Sequence, residues 1–206
     1  MKNIILIVAG GPSIRQLNLS LAKNFRTIAV NSAYEIAPWA EEMFFSDKTW
    51  WNANKKQLLA SKFTGEVATS FALKDCPPEY RYIEHYDGVQ HLDDPNLVSG
   101  PDSGSKAICR AFHRGAKTIL LAGFDCKRDE KGRSHYHNNY LNWRGDKQWE
   151  AFRQRHLELY KALRKRHVDV YSVTKNGHVE ISHKELETFN ESFANLRCRD
   201  AERADK

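Results

Sequence analysis

The chain lacks any long apolar run. The longest, Ile4–Ala9, falls far short of the roughly 20 residues that a membrane-spanning helix needs. It follows a single Lys2 and has no small-residue cleavage site behind it, so it does not read as a secretory signal, and a cytoplasmic protein is expected. Cysteines are few. No two of Cys76, Cys109, Cys126 and Cys198 share the short spacing of a zinc knuckle or a redox pair, so they read as free thiols, two of them within apolar stretches. There is no internal repeat and no linker. There is no Gly-x-Ser-x-Gly elbow, no Walker A sequence and no three-glycine dinucleotide fingerprint. Disorder is excluded by composition, since 41% of the 206 residues are hydrophobic and 28% charged. The length suits one domain, or at most two small ones.

What is present is a basic excess and an alternation of short elements. The net charge of +6 favours an anionic ligand or partner without naming it. Much of the excess lies in Arg144–Arg166, where it reads as a helix face. Nucleic-acid contact by residues 153–166 and their interleaved aromatics is the other reading.

Asn3–Ala9 predicts a buried strand, apolar on both faces, that ends in Gly10-Gly11-Pro12-Ser13. A helix is expected from Ser13 through Leu21–Lys23. Strands are expected at Arg26–Asn31, Met43–Ser46 and Glu66–Phe71, with a helix at Trp50–Ser61. Residues 74–102 read as loop, with Pro77-Pro78, Asp87-Gly88 and Asp93-Asp94-Pro95. Ser105–Arg114 has helical spacing and a stop at Gly115, and Thr118–Ala122 is a strand. Gln148–Arg166 predicts an amphipathic helix with Trp149, Phe152, His156, Leu159, Tyr160 and Leu163 on one side. Val168–Val173 is a strand, and Leu186–Leu196 a last helix. The alternation predicts an α/β, Rossmann-like fold: a mostly parallel sheet flanked by helices. One domain over residues 1–198 is expected, with a lid-like excursion at 74–102 and a charged tail at 199–206.

Chemistry-bearing residues gather at the ends of the expected strands. Gly10, Gly11, Pro12 and Ser13 leave a strand and open a helix, a geometry that suits phosphate; the alternative is a tight turn with an N-cap. Asn31 ends the second strand, where parallel sheets bind ligands, or simply forms a turn. Asp47 either orients a ribose, base or metal, or caps the helix before Trp50-Trp51, which either stack on a base or pack in the core. Ser103-Gly104 opens another helix, and Asp125 leaves the strand ending at Gly123-Phe124. In Ser134-His135-Tyr136-His137-Asn138-Asn139-Tyr140, alternate residues of an extended segment put His135 and His137 on one face, which suits a general base. No third metal ligand is signalled nearby.

Taken in order, strand–GGPS–helix, strand–Asn, Ser-Gly–helix, Gly115-Ala116-Lys117-Thr118-Ile119-Leu120-Leu121-Ala122-Gly123-Phe124-Asp125 and Ser-His-Tyr, the chain resembles two related families. One is the 6-hydroxymethylpterin diphosphokinase MptE-like family, with many small phage-encoded members. The other is the bacterial CMP-sialic-acid-dependent sialyltransferases. The resemblance runs from Ile4 to about Phe189 and is densest over Ser103–Asp125; Asp47-x-x-Trp50-Trp51 and His135-Tyr136-His137 look more like the phage members. It implies a nucleotide-binding, Rossmann-like transferase in the cytoplasm, the host's if phage-encoded. Gly11, Pro12, Ser13, Asn31, Ser103 and Gly104 would hold the nucleotide. His137, with His135, would deprotonate a hydroxyl acceptor, although the family's base aligns nearest Asn139. Lys127 stands where the family has a leaving-group tyrosine, and Gly10 where the sialyltransferases have Asn. Glycosyl transfer from a nucleotide sugar would need no cofactor. The alternatives are Mg2+-dependent pyrophosphoryl transfer from ATP, with Asp47 or Asp125 as ligand, and a non-catalytic nucleotide or nucleic-acid binder. The acceptor is a glycan, a small molecule or a modified DNA base, and a homo-oligomer is expected from the sialyltransferase likeness.

Overall fold

The computed structural model of the chain describes residues 3–72, 77–86, 88–137, 145–175, 177 and 181–190. Strands β1 (Ile4–Val8), β2 (Arg26–Val30), β3 (Glu42–Phe45) and β4 (Glu66–Thr69) lie side by side in chain order, and β5 (Arg81–Tyr82) ends that side of the sheet. β6 (Glu84–Tyr86) and β7 (Leu97–Ser99) pair separately. The chain then crosses over β1: β8 (Thr118–Ala122) pairs with its free side and β9 (Asp169–Ser172) pairs with β8. The seven-stranded order is β5-β4-β3-β2-β1-β8-β9, parallel throughout. This is the expected α/β, Rossmann-like arrangement.

Alternation along the strands feeds two cores, because successive side chains point to opposite faces. Leu6, Val8, Ala29, Met43 and Phe45 face a layer made by two 3-10 turns (Pro12–Gln16 and Asn31–Glu35), α1 (Leu19–Ala22) and α2 (Lys48–Ala60). Ile5, Ile7, Ile28, Phe44 and Ile119 face α3 (Ser103–His113) and α4 (Asp146–Arg164), through Ala107, Ile108, Ala111, Leu159 and Leu163. Trp50 and Trp51 belong to the first core, and Trp51 stacks on Phe45 with centroids 5.2 Å apart. The pair therefore packs rather than presenting a platform for a base.

Two expectations change. The helix expected from Ser13 to Lys23 is instead a 3-10 turn, a break at Leu17-Asn18, and the single turn of α1. Pro12 suits the start of such a turn, and the Asn18 side chain accepts from the Leu21 N–H to restart it. The described part of 74–102 is not loop throughout. It supplies β5, β6 and β7, and Ile83, Leu92 and Val98 are buried in the core under α3. Residues 186–190 are helical; the rest of the last helix, Cys76, Cys198, Asp87, residues 138–144 and the tail at 199–206 lie outside the described residues.

A buried ion cluster sets the position of α3. Glu42, wholly enclosed at the start of β3, receives Arg110 Nε at 2.9 Å and Nη2 at 2.8 Å, and Arg114 Nη1 at 2.7 Å. Arg114 also reaches Glu66 at 3.2 Å. These contacts hold the carboxyl end of α3 at the amino edge of the sheet, so its amino end stands at the opposite edge. Gly115, at φ 85°, ends the helix in the left-handed conformation that glycine adopts freely. Glu42→Ala leaves Arg110 buried without its partner and is expected to cost about 3–5 kcal/mol in urea denaturation. Arg81→Ala, which removes a half-exposed guanidinium 3.6 Å from Glu66, is expected to cost less than about 1 kcal/mol.

Candidate functional site

The strand order reverses between β1 and β8, and a crevice opens there at the carboxyl edge of the sheet. That is where open parallel sheets bind ligands. Its wall is built from Gly10 and Gly11 after β1, Asn31 after β2, Asp102 to Gly104 at the start of α3, Gly123 to Lys127 after β8, and His135 and His137. Trp149, Phe152 and His156 of α4 complete it. Of the expected site residues, Gly10, Gly11, Asn31, Ser103, Gly104, Asp125, Lys127, His135 and His137 therefore come together. Pro12 and Ser13 lie behind the loop and line a neighbouring hollow, while Asp47 lines neither.

The glycine loop is occupied from within. Asp125 accepts the Ser13 N–H at 2.7 Å on one carboxylate oxygen and the Ser13 hydroxyl on the other. The Ser13 oxygen also contacts the Thr174 hydroxyl at 2.8 Å. The carboxylate takes the place at the first loop that phosphate was expected to fill. Gly11 is needed for this packing, because a Cβ there would stand 2.5 Å from the Gly123 carbonyl and 2.7 Å from the Asp125 carboxyl carbon. Burial raises Asp125 above its usual carboxylate range in spite of its Ser13 donors and nearby Lys127.

The Ser103-Gly104 turn is likewise committed to the protein. The Ser103 hydroxyl oxygen lies 3.1 Å from the Ser46 N–H and 3.0 Å from the Ser46 hydroxyl. Asp102 caps α3, accepting the Ser105 N–H at 3.0 Å. Asp47 is a helix cap as well, taking the N–H groups of Thr49 at 2.7 Å and Trp50 at 3.2 Å. Of the two roles expected of Asp47, the structure shows the cap.

Asn31, His135 and His137 face the crevice with chemistry-bearing side chains. Asn31 has φ 53°, and its buried Oδ1 has no hydrogen-bond partner among the described residues. The His135–His137 segment is pinned over the crevice by Tyr136. Its N–H donates to the Gly10 carbonyl at 2.9 Å, its hydroxyl donates to the Ser32 carbonyl at 2.8 Å, and its carbonyl accepts Arg15 at 2.5 Å. With Tyr136 turned to the core, both imidazoles line the crevice, their ring centres 5.7 Å apart. Burial lowers His137 below the ordinary histidine value. No protein-family model matches the chain, and no curated protein matches it. Among the described residues, no helix is long and apolar enough to cross a membrane.

The sequence reading missed the buried wall contributed by α4. His156 Nε2 lies 3.1 Å from Asp102 Oδ2, and its Nδ1 lies 3.9 Å from the Cys126 sulfur. The available signal was a histidine at an apolar position of the α4 periodicity, where a core role was assigned. Burial opposes charge on both partners. Even so, His156 and the Ser105 donors bring Asp102 down from 3.8 to about 2, while Asp102 and the Cys126 sulfur bring His156 up from 6.5 to about 10. Three of the six Lys and Arg residues in 153–166 form ion pairs: Arg153 with Glu150, Arg155 with Glu158 at 2.6 Å, and Arg166 with Asp93 at 2.5 Å.

The Asp102–His156 pair is one coupled unit. A raised histidine stabilises the fold fully below its unfolded value and loses that contribution as pH rises through its folded value. A lowered aspartate does the reverse on the acid side. Stabilisation by the pair is expected to be complete between about 3.8 and 6.5, to decline from pH 6.5 through about 10, and to decline from pH 3.8 towards about 2. Urea midpoints measured from pH 5 to 9 should fall above pH 6.5, and Asp102→Asn should flatten that slope.

Proposed function

We propose that the chain is a transferase that binds a nucleotide or nucleotide sugar in this crevice and passes the glycosyl group to a hydroxyl acceptor. Asn31 carries the reading. A buried amide oxygen left without a donor costs about 1–3 kcal/mol. Asn31 lines a crevice at the strand-order reversal, in a left-handed backbone conformation that asparagine tolerates, and its buried Oδ1 has no donor among the described residues. An amino group of a base or a ribose hydroxyl would satisfy it.

The crevice holds about 120 Å3, below the roughly 300–1,000 Å3 of sites that enclose a drug-sized molecule. A nucleotide would therefore extend into the adjoining hollow of about 550 Å3, where Arg15, Lys127, Arg128, Lys131 and Arg133 outnumber Asp125, Asp129 and Glu130. Lys127 lines both spaces. In this reading the phosphates lie at the basic hollow rather than at the two helix starts, where Asp125 and Asp102 already sit. His137, kept neutral near pH 7 by burial, takes the proton of the acceptor hydroxyl, with His135 beside it. Lys127 offsets charge on the departing phosphate, and Asp125 holds the loops in register. Glycosyl transfer of this kind asks for no cofactor.

The pyrophosphoryl alternative would place Mg2+ on Asp47 or Asp125. Neither fits as an open ligand: Asp47 caps α2, and both oxygens of Asp125 accept from Ser13. Among the described residues, no group of three or more His, Cys, Asp and Glu side chains is placed to hold a metal ion.

Calorimetric titration with CMP, a UDP-sugar and ATP, each with and without Mg2+, tests the binding step. One of them is expected to bind, and Asn31→Ala should weaken it about tenfold, the worth of one hydrogen bond; failure of all three overturns the nucleotide reading. For the donor that binds, His137→Ala should lower turnover about 10²–10⁴-fold. The acid limb of the pH profile should fall below pH 6.5, following the lowered histidine. Binding without turnover under any acceptor would leave a nucleotide-binding protein in place of a transferase.

A further inference from the structure

The α4 wall of the crevice carries a second set of groups that the nucleotide reading does not use. Cys126 follows the end of β8 with φ 47°, a left-handed conformation uncommon for a residue with a side chain. Its carbonyl accepts Arg153 Nη1 at 2.8 Å. Arg153 and His156 lie one turn apart on α4, so the same helix holds the cysteine backbone and sets an imidazole against its sulfur. The sulfur is 3.9 Å from His156 Nδ1, and the far nitrogen of that ring meets the Asp102 carboxylate at 3.1 Å. Cys126, His156 and Asp102 all line the crevice. Sulfur, imidazole and carboxylate in line, with the carboxylate on the nitrogen away from sulfur, is the arrangement that activates a nucleophile and then returns a proton to its leaving group.

We propose that Cys126 is a catalytic nucleophile for acyl groups, that His156 is its proton partner, and that Asp102 is the residue that positions His156. In the reactive form the proton sits on His156 Nδ1 and the sulfur is the thiolate. The sulfur attacks the carbonyl carbon of an ester; the C–S bond forms, the C–O bond breaks, and the departing alkoxide takes the proton from His156 Nδ1. A thioester on Cys126 and a neutral imidazole remain. Water, or an acceptor hydroxyl, then gives its proton to Nδ1 and attacks the thioester carbonyl. This releases the acyl group and restores thiolate and imidazolium. Asp102 stays ionised throughout.

The proposal does not rest on the nucleotide reading, and its test contains no nucleotide. The full chain is treated with p-nitrophenyl acetate, nitrophenolate release is followed, and the acetylated peptide is identified by mass spectrometry. The expected result is a burst of about one equivalent per chain, with the acetyl group on Cys126 and removable by hydroxylamine. Cys126→Ser should abolish the burst, and His156→Gln should slow it about 100-fold. Acetylation at another cysteine, or a burst unaffected by His156→Gln, overturns the proposal. Because His156 is buried and its loss could unfold the chain, the unsubstituted protein supplies a second measurement: the rate of Cys126 alkylation by iodoacetamide from pH 5.5 to 8.5. An ion-paired sulfur holds its rate below pH 7. A fall of about tenfold per pH unit, as for an ordinary thiol, overturns the proposal.

Discussion

The carboxylate of Asp125 joins the halves of the fold on which the crevice depends. It leaves the end of β8 and captures the loop that leaves β1 by the backbone and side chain of Ser13. Those strands are neighbours in the sheet although 112 positions separate the two residues in the chain. With the loop drawn down, Gly11 lies against Gly123, the Gly10 carbonyl faces outward to receive Tyr136, and the histidine segment comes to rest over the opening. A single buried acid thus orders three separate stretches of the crevice wall. The closeness of the Gly123 and Asp125 atoms explains why glycine stands at position 11 without invoking a ligand.

Most of the sheet was legible in the sequence. β1, β2, β3, β4, β8 and β9 are short apolar runs between turn residues, and buried parallel strands have that signature. α2, α3 and α4 were readable from period and caps. The helix expected after Ser13 was not, because Pro12 and Asn18 divide that stretch into two local turns whose competition with a continuous helix leaves no mark in its apolar spacing. The strands between residues 81 and 99 escaped because two- and three-residue strands are too short to show a period. Their burial comes from Ile83, Leu92 and Val98 meeting a distant helix.

The candidate site was legible as a set of positions but not as a set of roles. Strand ends could be counted along the chain, so Gly10, Asn31, Asp125 and the histidines were found. Partners could not be counted. Ser13 and Ser103 have the chemistry to bind an anion, and both spend it on protein groups, Ser13 on Asp125 and Ser103 on Ser46. Asp102 and His156 lie 54 positions apart, and nothing local tells either that the other is near.

The margins of the sheet have a consequence for how copies of this chain can meet. On one side β5 is only two residues long. On the other, residues 182–184 run alongside β9: the Ser182 carbonyl accepts the Ser172 N–H at 3.0 Å, and the Lys184 N–H donates to the Ser172 carbonyl at 2.9 Å. A short strand and a covered strand both leave little ladder for a stranger to copy. Backbone templating is thereby discouraged at the two places where an open parallel sheet is most exposed to it. At these two margins, contact between copies falls to side chains, where single substitutions can tune it without touching the architecture within.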